Sequence, residues 1–124
     1  MHKYKELKLW QKSIDLVTSI YLSTRSFPSV EKFGLVSQIN RAAVSIPSNI
    51  AEGAGRNSDK EFVQFLSIAQ ASSYELETQL IISRNLNYLS AEELGQLTIQ
   101  IEEVQKMNYS IQSKFKQKLV DIKH

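Results

Sequence analysis

The stretch SIPSNIAEGAGRNS, residues 45–58, places a proline inside a helical pattern and follows it with a Gly-x-Gly segment. Apolar residues at helical spacing continue through Pro47, which predicts one helix with a kink near residues 43–47, because proline removes a backbone hydrogen bond. Gly53 and Gly55 are expected to end this helix in the left-handed conformation, which costs glycine least. A nucleotide-binding loop is disfavoured, since the segment has no Gly-Lys-Ser/Thr sequence and follows a helix, not a strand.

Long helices are predicted on both sides of this stretch. Four glycines and two prolines in 124 residues leave few turn positions, which disfavours a fold of many strands. Ser58 and Glu61 match a capping box at a helix start, and so do Ser90 and Glu93. Short loops favour antiparallel neighbours, so the sequence predicts one all-α domain, residues 1–124, folded as an up-down-up-down four-helix bundle. The predicted helices span about residues 5–25, 30–54, 58–88 and 91–119.

The composition disfavours most catalytic and metal-binding chemistry. The chain has no cysteine, and its only histidines, His2 and His124, lie in end segments that are expected to fray. A di-iron bundle requires Glu-x-x-His pairs facing the core, and a Ser-His-Asp set requires a histidine of defined position. We find no signal peptide and no run of 18 apolar residues, and therefore expect a cytoplasmic protein with no membrane segment. We also expect no catalytic residues, no cofactor and no metal, and hence no enzyme activity.

Positive charge is concentrated near the two ends of the chain, although the net charge is only +2. Residues 1–12 contain four lysines and one glutamate, and residues 106–124 contain five lysines and one aspartate. In an up-down bundle both ends lie beside the loop between the second and third helices, which predicts one basic pole. Such a pole suits phosphate backbones, although surface lysines also serve solubility or complement helix dipoles. The predicted nucleic-acid-binding residues are Lys3, Lys5, Lys8, Lys12, Arg56, Lys60, Lys114, Lys116 and Lys118.

The first helix has more apolar residues than one buried face needs. Its predicted core face consists of Leu7, Trp10, Ile14, Val17 and Tyr21. A second stripe consists of Leu9, Leu16 and Ile20. Such additional stripes suggest contacts beyond the bundle, although some of their residues must line the core of the chain itself. Because Trp10 is assigned to the core, Tyr4 is left as the one good candidate for base stacking at the basic pole.

The third helix is apolar on three sides, which favours a homo-oligomer, since a monomer rarely leaves a large apolar patch in water. On the second helix, Arg41 and Glu52 are about 16 Å apart and cannot pair with each other. A neighbouring subunit and plain solvent exposure both remain open for these two side chains. The predicted interface residues are Arg41, Ser45, Ser48, Asn49, Glu52, Val63, Tyr74 and Ile81.

Three segments of the chain carry a resemblance to a known family. Residues 33–80, FGLVSQINRAAVSIPSNIAEGAGRNSDKEFVQFLSIAQASSYELETQL, contain the most specific motif, Arg-Ala-Ala-x-Ser-Ile-Pro-x-Asn-Ile-Ala-Glu-Gly. With LKLWQKSIDLV at residues 7–17 and FPSVEKFGL at residues 27–35, they resemble the bacterial "four helix bundle protein" family, also called the 23S rRNA intervening-sequence protein family. Ala71 departs from the family pattern, which often has glycine there, and is expected to loosen the closest helix contact slightly.

The resemblance implies a four-helix bundle that assembles as a ring, typically a homopentamer, and it brings no catalytic residues. Relatives serve as accessory proteins of diversity-generating retroelements, in which a basic ring surface binds nucleic acid and a reverse transcriptase. The first hypothesis is therefore a ring-forming accessory protein whose partners are other copies of the chain, RNA or DNA, and a reverse transcriptase or another protein. The second is a structural or protein-interaction bundle without nucleic-acid binding.

Overall fold

The computed structural model describes residues 1–123 and contains four α-helices, with no strand in that range. A 3-10 turn at Tyr4–Glu6 precedes the first helix, and a second 3-10 turn at Ser29–Glu31 precedes the second helix. The predicted all-α fold of four helices is confirmed. The helices are α1, Lys8–Thr24; α2, Leu35–Ala54; α3, Asp59–Asn85; and α4, Ala91–Lys123.

Two of the helices start later than predicted. α1 begins at Lys8 because Tyr4–Glu6 forms a separate 3-10 turn. α2 begins at Leu35, five residues after the predicted start, because the 3-10 turn at Ser29–Glu31 is followed by Gly34 in a non-helical conformation, with φ −109° and ψ −110°. One carboxylate oxygen of Glu31 accepts from the Leu35 amide at 3.4 Å, which satisfies one of the free amides at the start of α2.

Side-chain caps begin α3 and α4 where the sequence predicts them. The Ser58 hydroxyl accepts a hydrogen bond from the Glu61 amide at 3.2 Å. At the start of α4 both bonds of a capping box are present, since Ser90 accepts from the Glu93 amide at 3.0 Å and the Glu93 carboxylate accepts from the Ser90 amide at 2.9 Å. These two serines therefore fix where the third and fourth helices begin.

Each helix packs against two others, α1 and α3 both contacting α2 and α4. Across α3 and α4, the Ser67 hydroxyl donates to Gln112 at 3.0 Å, and the Gln70 amide donates to the Gln105 carbonyl at 3.2 Å. Residue numbers thus rise along α3 as they fall along α4, which is the pairing expected of antiparallel neighbours. The core consists largely of aliphatic residues from all four helices, together with Phe27 and Phe62.

The face of α1 that enters the core differs from the predicted one. Leu9, Leu16 and Ile20 are fully buried, whereas Ile14 and Tyr21 of the predicted core face are 38% and 44% exposed. α1 carries two adjacent apolar stripes, and the buried one contains only aliphatic large residues, which need no hydrogen-bond partner. The other stripe includes Trp10 and Tyr21, whose N–H and O–H groups can hydrogen-bond to water at the edge of the core.

Gly53 is required by a close helix contact and not by a left-handed backbone, which corrects the prediction for both glycines. No glycine has a positive φ, and Gly55 caps α2 with φ −81°. Gly53 lies inside α2 where α3 crosses it, and a Cβ atom on Gly53 would lie 2.5 Å from Cβ of Phe65. The helix continues through Pro47, which is buried; the kink near this residue stays a prediction.

Candidate nucleic-acid interface

Three parts of the chain converge at one end of the bundle, and we call this end the basic pole. It is formed by residues 1–6, by the connection from α2 to α3, and by the last part of α4. The His2 backbone amide donates to the Ala54 carbonyl at 2.6 Å, and the His2 ring lies 3.0 Å from the Asp59 carboxylate. From α4, Lys118 pairs with the same carboxylate at 3.2 Å.

His2 is an anchor of the basic pole, although the sequence predicts a frayed end there. Its ring packs between Phe62 of α3 and Phe115 of α4, with centroid distances of 4.7 Å and 5.1 Å. These two phenylalanines also contact each other edge to face at 5.4 Å. The imidazole therefore joins the start of the chain to the start of α3 and the end of α4. His124, the other histidine, lies outside the described residues.

Asp59 is the negative centre of this anchor. The hydrogen bond from His2 is the largest influence on the Asp59 carboxyl and lowers its pKa below the ordinary value of 3.8. Lys118 acts in the same direction through a hydrogen bond and its charge, while partial burial opposes both by raising the pKa. Ionised Asp59 thus stabilises the folded pole.

The lowered pKa of Asp59 predicts a loss of stability in acid. A carboxyl whose pKa is lower in the folded state stabilises the protein above the unfolded pKa, and this contribution disappears as the pH falls through the folded pKa. Between pH 5 and pH 2, Tm should therefore fall more for the wild type than for Asp59→Asn. The matched control is Asp15→Asn, at an exposed position of α1, whose thermal melts should follow the wild-type pH dependence. Identical pH dependence for wild type and Asp59→Asn would contradict this account.

Three of the nine predicted nucleic-acid-binding cations are paired with carboxylates of the same chain. Besides Lys118, Arg56 pairs with Glu52 at 3.2 Å and also lies over the Phe65 ring, 4.8 Å from its centroid. Lys12 pairs at 3.3 Å with Glu103 of α4, so its charge is offset along the side of the bundle. We therefore give Lys12 no part in the interface.

The other six predicted cations are exposed, and no carboxylate in the described part of the chain lies within ion-pair distance of them. Lys114 also borders an open depression of about 750 Å³, which His2, Phe115 and Gln117 help to line. Sequence reasoning missed the aromatic and imidazole parts of this depression because they depend on where the chain end docks. The six unpaired cations are Lys3, Lys5, Lys8, Lys60, Lys114 and Lys116.

Several of the predicted interface residues on α2 have partners within the chain. Ser45 donates to the hydroxyl of Ser72 on α3, and the Asn49 amide donates to the Ser45 carbonyl at 2.7 Å. Glu52 pairs with Arg56 of its own chain, a partner that the sequence analysis did not consider beside a neighbouring subunit and solvent. Arg41 and Ser48 are exposed.

Comparison with known proteins places this bundle in a family. The family model described as 23S rRNA-intervening sequence protein matches residues 5–110. The chain belongs to this family. A crystal structure of a protein with unknown function from the S23 ribosomal protein family of Bacteroides thetaiotaomicron VPI-5482 has the same fold, with a TM-score of 0.78 and 25% sequence identity. That similarity covers 85% of this chain and 95% of the other. No curated protein matches the chain.

This member of the 23S rRNA-intervening sequence protein family exposes an apolar surface on α3. Tyr74 and Ile81, both predicted interface residues, are 54% and 49% exposed. Val63, also predicted there, is buried within the chain and is removed from the interface. The α3 surface consists of Ile68, Tyr74, Ile81, Ile82 and Leu86.

Among residues 1–123 no three His, Asp or Glu side chains are grouped so that they could hold a metal ion. None of the described helices is both long and apolar enough to span a bilayer.

Proposed function

We propose that this chain is a non-enzymatic accessory protein that assembles as a ring and binds nucleic acid through its basic pole. The observation that carries the proposal is the convergence of residues 1–6, the α2–α3 connection and the last part of α4, which brings most of the unpaired lysines to one end of the bundle. Phosphate backbones bind such surfaces by charge and by counterion release, without a need for base-specific contacts. The family description refers to a 23S rRNA sequence, so a structured RNA is the natural first probe.

Assembly is proposed to use the α3 surface. Four large apolar side chains of α3, and Leu86 directly after the helix, are each at least 44% exposed. Burial of such a surface against another copy of the chain would remove it from water. A ring, for which the family resemblance suggests five subunits, would repeat the basic pole around one axis and multiply its phosphate contacts. Its proposed location is the cytoplasm, and its proposed partners are RNA or DNA and a reverse transcriptase or another protein.

Charge reversal at Lys114 and Lys116 tests nucleic-acid binding at the basic pole. Both lysines are exposed, so Lys114→Glu/Lys116→Glu should fold normally while it removes two phosphate contacts and adds repulsion. At 0.1 M salt each lost contact weakens binding by nearly tenfold, so we expect about 50-fold weaker binding of a fluorescent RNA hairpin by anisotropy.

The matched control for this test is Arg25→Glu/Arg84→Glu, which changes two cations at the opposite end of the bundle, directly after α1 and in the last turn of α3. Either double variant shifts the net charge from +2 to −2, so a difference between them reports position and not total charge. Equal weakening by both variants would contradict a localised site.

The second candidate is a structural or protein-interaction bundle without nucleic-acid binding. The apolar α3 surface favours it, since this surface suits a helical partner as well as another copy of the chain. The absence of RNA binding by the wild type at 20 mM salt would favour this candidate over the first.

A further inference from the structure

A second surface of the chain combines aromatic side chains with cations along the seam between α1 and α2. Two open depressions lie on this seam, and Val44 lines both of them. The depression nearer the chain start, of about 330 Å³, is bordered by Tyr4 and Trp10. The other, of about 650 Å³, is bordered by Phe33 and Arg41. We call the two together the α1–α2 groove.

Aromatic rings occur along the whole length of the α1–α2 groove. Tyr4 and Trp10 are both half-buried and contact each other edge to face, with centroids 5.3 Å apart. Tyr21 and Phe33, which are 44% and 88% exposed, both line the wider depression. A ring as exposed as that of Phe33 buries little apolar area against the core of its own chain.

Cations lie beside these rings, and no carboxylate of the described residues lines the groove. Lys5 is 6.0 Å from the Tyr4 ring centroid, and Lys32 is 5.4 Å from that of Phe33. Arg41 lines the wider depression. Within residues 1–123, none of these three cations has a carboxylate at ion-pair distance. The groove therefore favours an anionic partner that also offers flat apolar faces.

We propose that the α1–α2 groove binds single-stranded nucleic acid, with bases stacked on its aromatic rings and phosphates beside Lys5 and Arg41. Single strands can present base faces to aromatic side chains, whereas the bases of a duplex remain stacked on one another. The α2 residues that line the groove, 36–51, span about 22 Å at 1.5 Å per residue, which accommodates several nucleotides. This inference rests on the proposed function, because the strand would continue from the basic pole.

Trp10 provides a direct test because it is the only tryptophan in the chain. Oligo(dT) should quench Trp10 fluorescence as a base stacks beside it, whereas a blunt-ended DNA duplex with the same number of phosphates should leave the emission unchanged. Binding of both probes is followed in parallel by the anisotropy of a fluorescent label on the DNA.

Phe33→Ala is the variant for the same titration, since an 88% exposed side chain has little influence on folding. It should weaken oligo(dT) binding about tenfold, which is within the range for the loss of one base–aromatic stack, and leave duplex binding unchanged. The matched control is Tyr109→Ala, an aromatic residue 69% exposed on α4, which should bind both probes like the wild type.

Two results would overturn the inference and leave the proposed function intact. In the first, oligo(dT) binds without any change in Trp10 emission, and Phe33→Ala binds as tightly as Tyr109→Ala. In the second, Trp10 emission changes with protein concentration alone and not with oligo(dT), which would mean that another copy of the chain covers the groove. Failure of both oligo(dT) and duplex to bind at 20 mM salt would instead contradict the proposed function itself.

Discussion

Gly53→Ala is expected to lower the free energy of unfolding by about 2–3 kcal/mol, the upper part of the range for overpacking a close contact. The new methyl group would lie 2.5 Å from Cβ of Phe65 and 3.2 Å from Cδ1 of Phe62. A Cβ atom moves only with its backbone, so no rotation of the Phe65 side chain relieves the clash. α2 and α3 would have to separate, and these two helices share the most extensive contact in the bundle. Urea unfolding monitored by circular dichroism measures the loss.

Gly95→Ala is the matched control for this experiment. Gly95 also lies inside a helix, α4, but a Cβ atom there would meet nothing within 4 Å. Alanine has the higher helix propensity, so this variant should be more stable than the wild type by up to about 1 kcal/mol. If both variants changed stability in the same direction and by the same amount, Gly53 would have no special role in the contact between α2 and α3.

Ile81→Glu is expected to dissociate the proposed ring. Glutamate at the centre of an apolar interface would bury an unpaired charge, at a cost of about 3 kcal/mol or more per contact. That cost weakens each contact by about 100-fold. Sedimentation velocity should show a multiple of the 14.2 kDa protomer for the wild type and the protomer alone for the variant.

The control for assembly is Ile99→Glu, since Ile99 is 68% exposed on α4 and does not belong to the α3 surface. This variant should sediment like the wild type. A wild type that sediments as a single protomer at tens of micromolar would contradict ring formation. Dissociation by Ile99→Glu as well would place the interface elsewhere.

Local sequence signals predicted the four helices and half of their boundaries to within one residue, whereas α3 ends at Asn85, three residues before the predicted end, and α4 continues past the predicted residue 119 to Lys123. Ser58 and Ser90 start α3 and α4 because a capping hydroxyl needs only the amides of the next turn. The orientation of α1 was not predictable in this way, because its two apolar stripes have similar helical spacing. Which of the two stripes is buried depends on the side chains that α2 and α4 pack against α1. The role of Gly53 likewise depends on α3, which crosses from elsewhere in the chain.

The candidate site was predictable to the extent that bundle topology brings chain ends together. The approach of the N-terminal residues to α3 and the end of α4 follows from that topology. The ion-pair partners of the cations do not follow from the topology. Lys12 of α1 pairs with Glu103 of α4, and no local sequence pattern connects two residues so far apart in the chain. The docking of His2 was missed because a residue so near the chain end has no periodicity from which its contacts can be inferred.

Salt dependence tests the central claim, that the basic pole binds phosphate backbones, most directly. The measurement is the association constant of the wild-type protein for a fluorescent DNA duplex between 20 and 300 mM NaCl. Contacts from most of the six unpaired lysines predict a log–log slope of about −4 to −5, since each phosphate contact adds about −0.9. A slope near zero, or no binding at 20 mM NaCl, would contradict the claim.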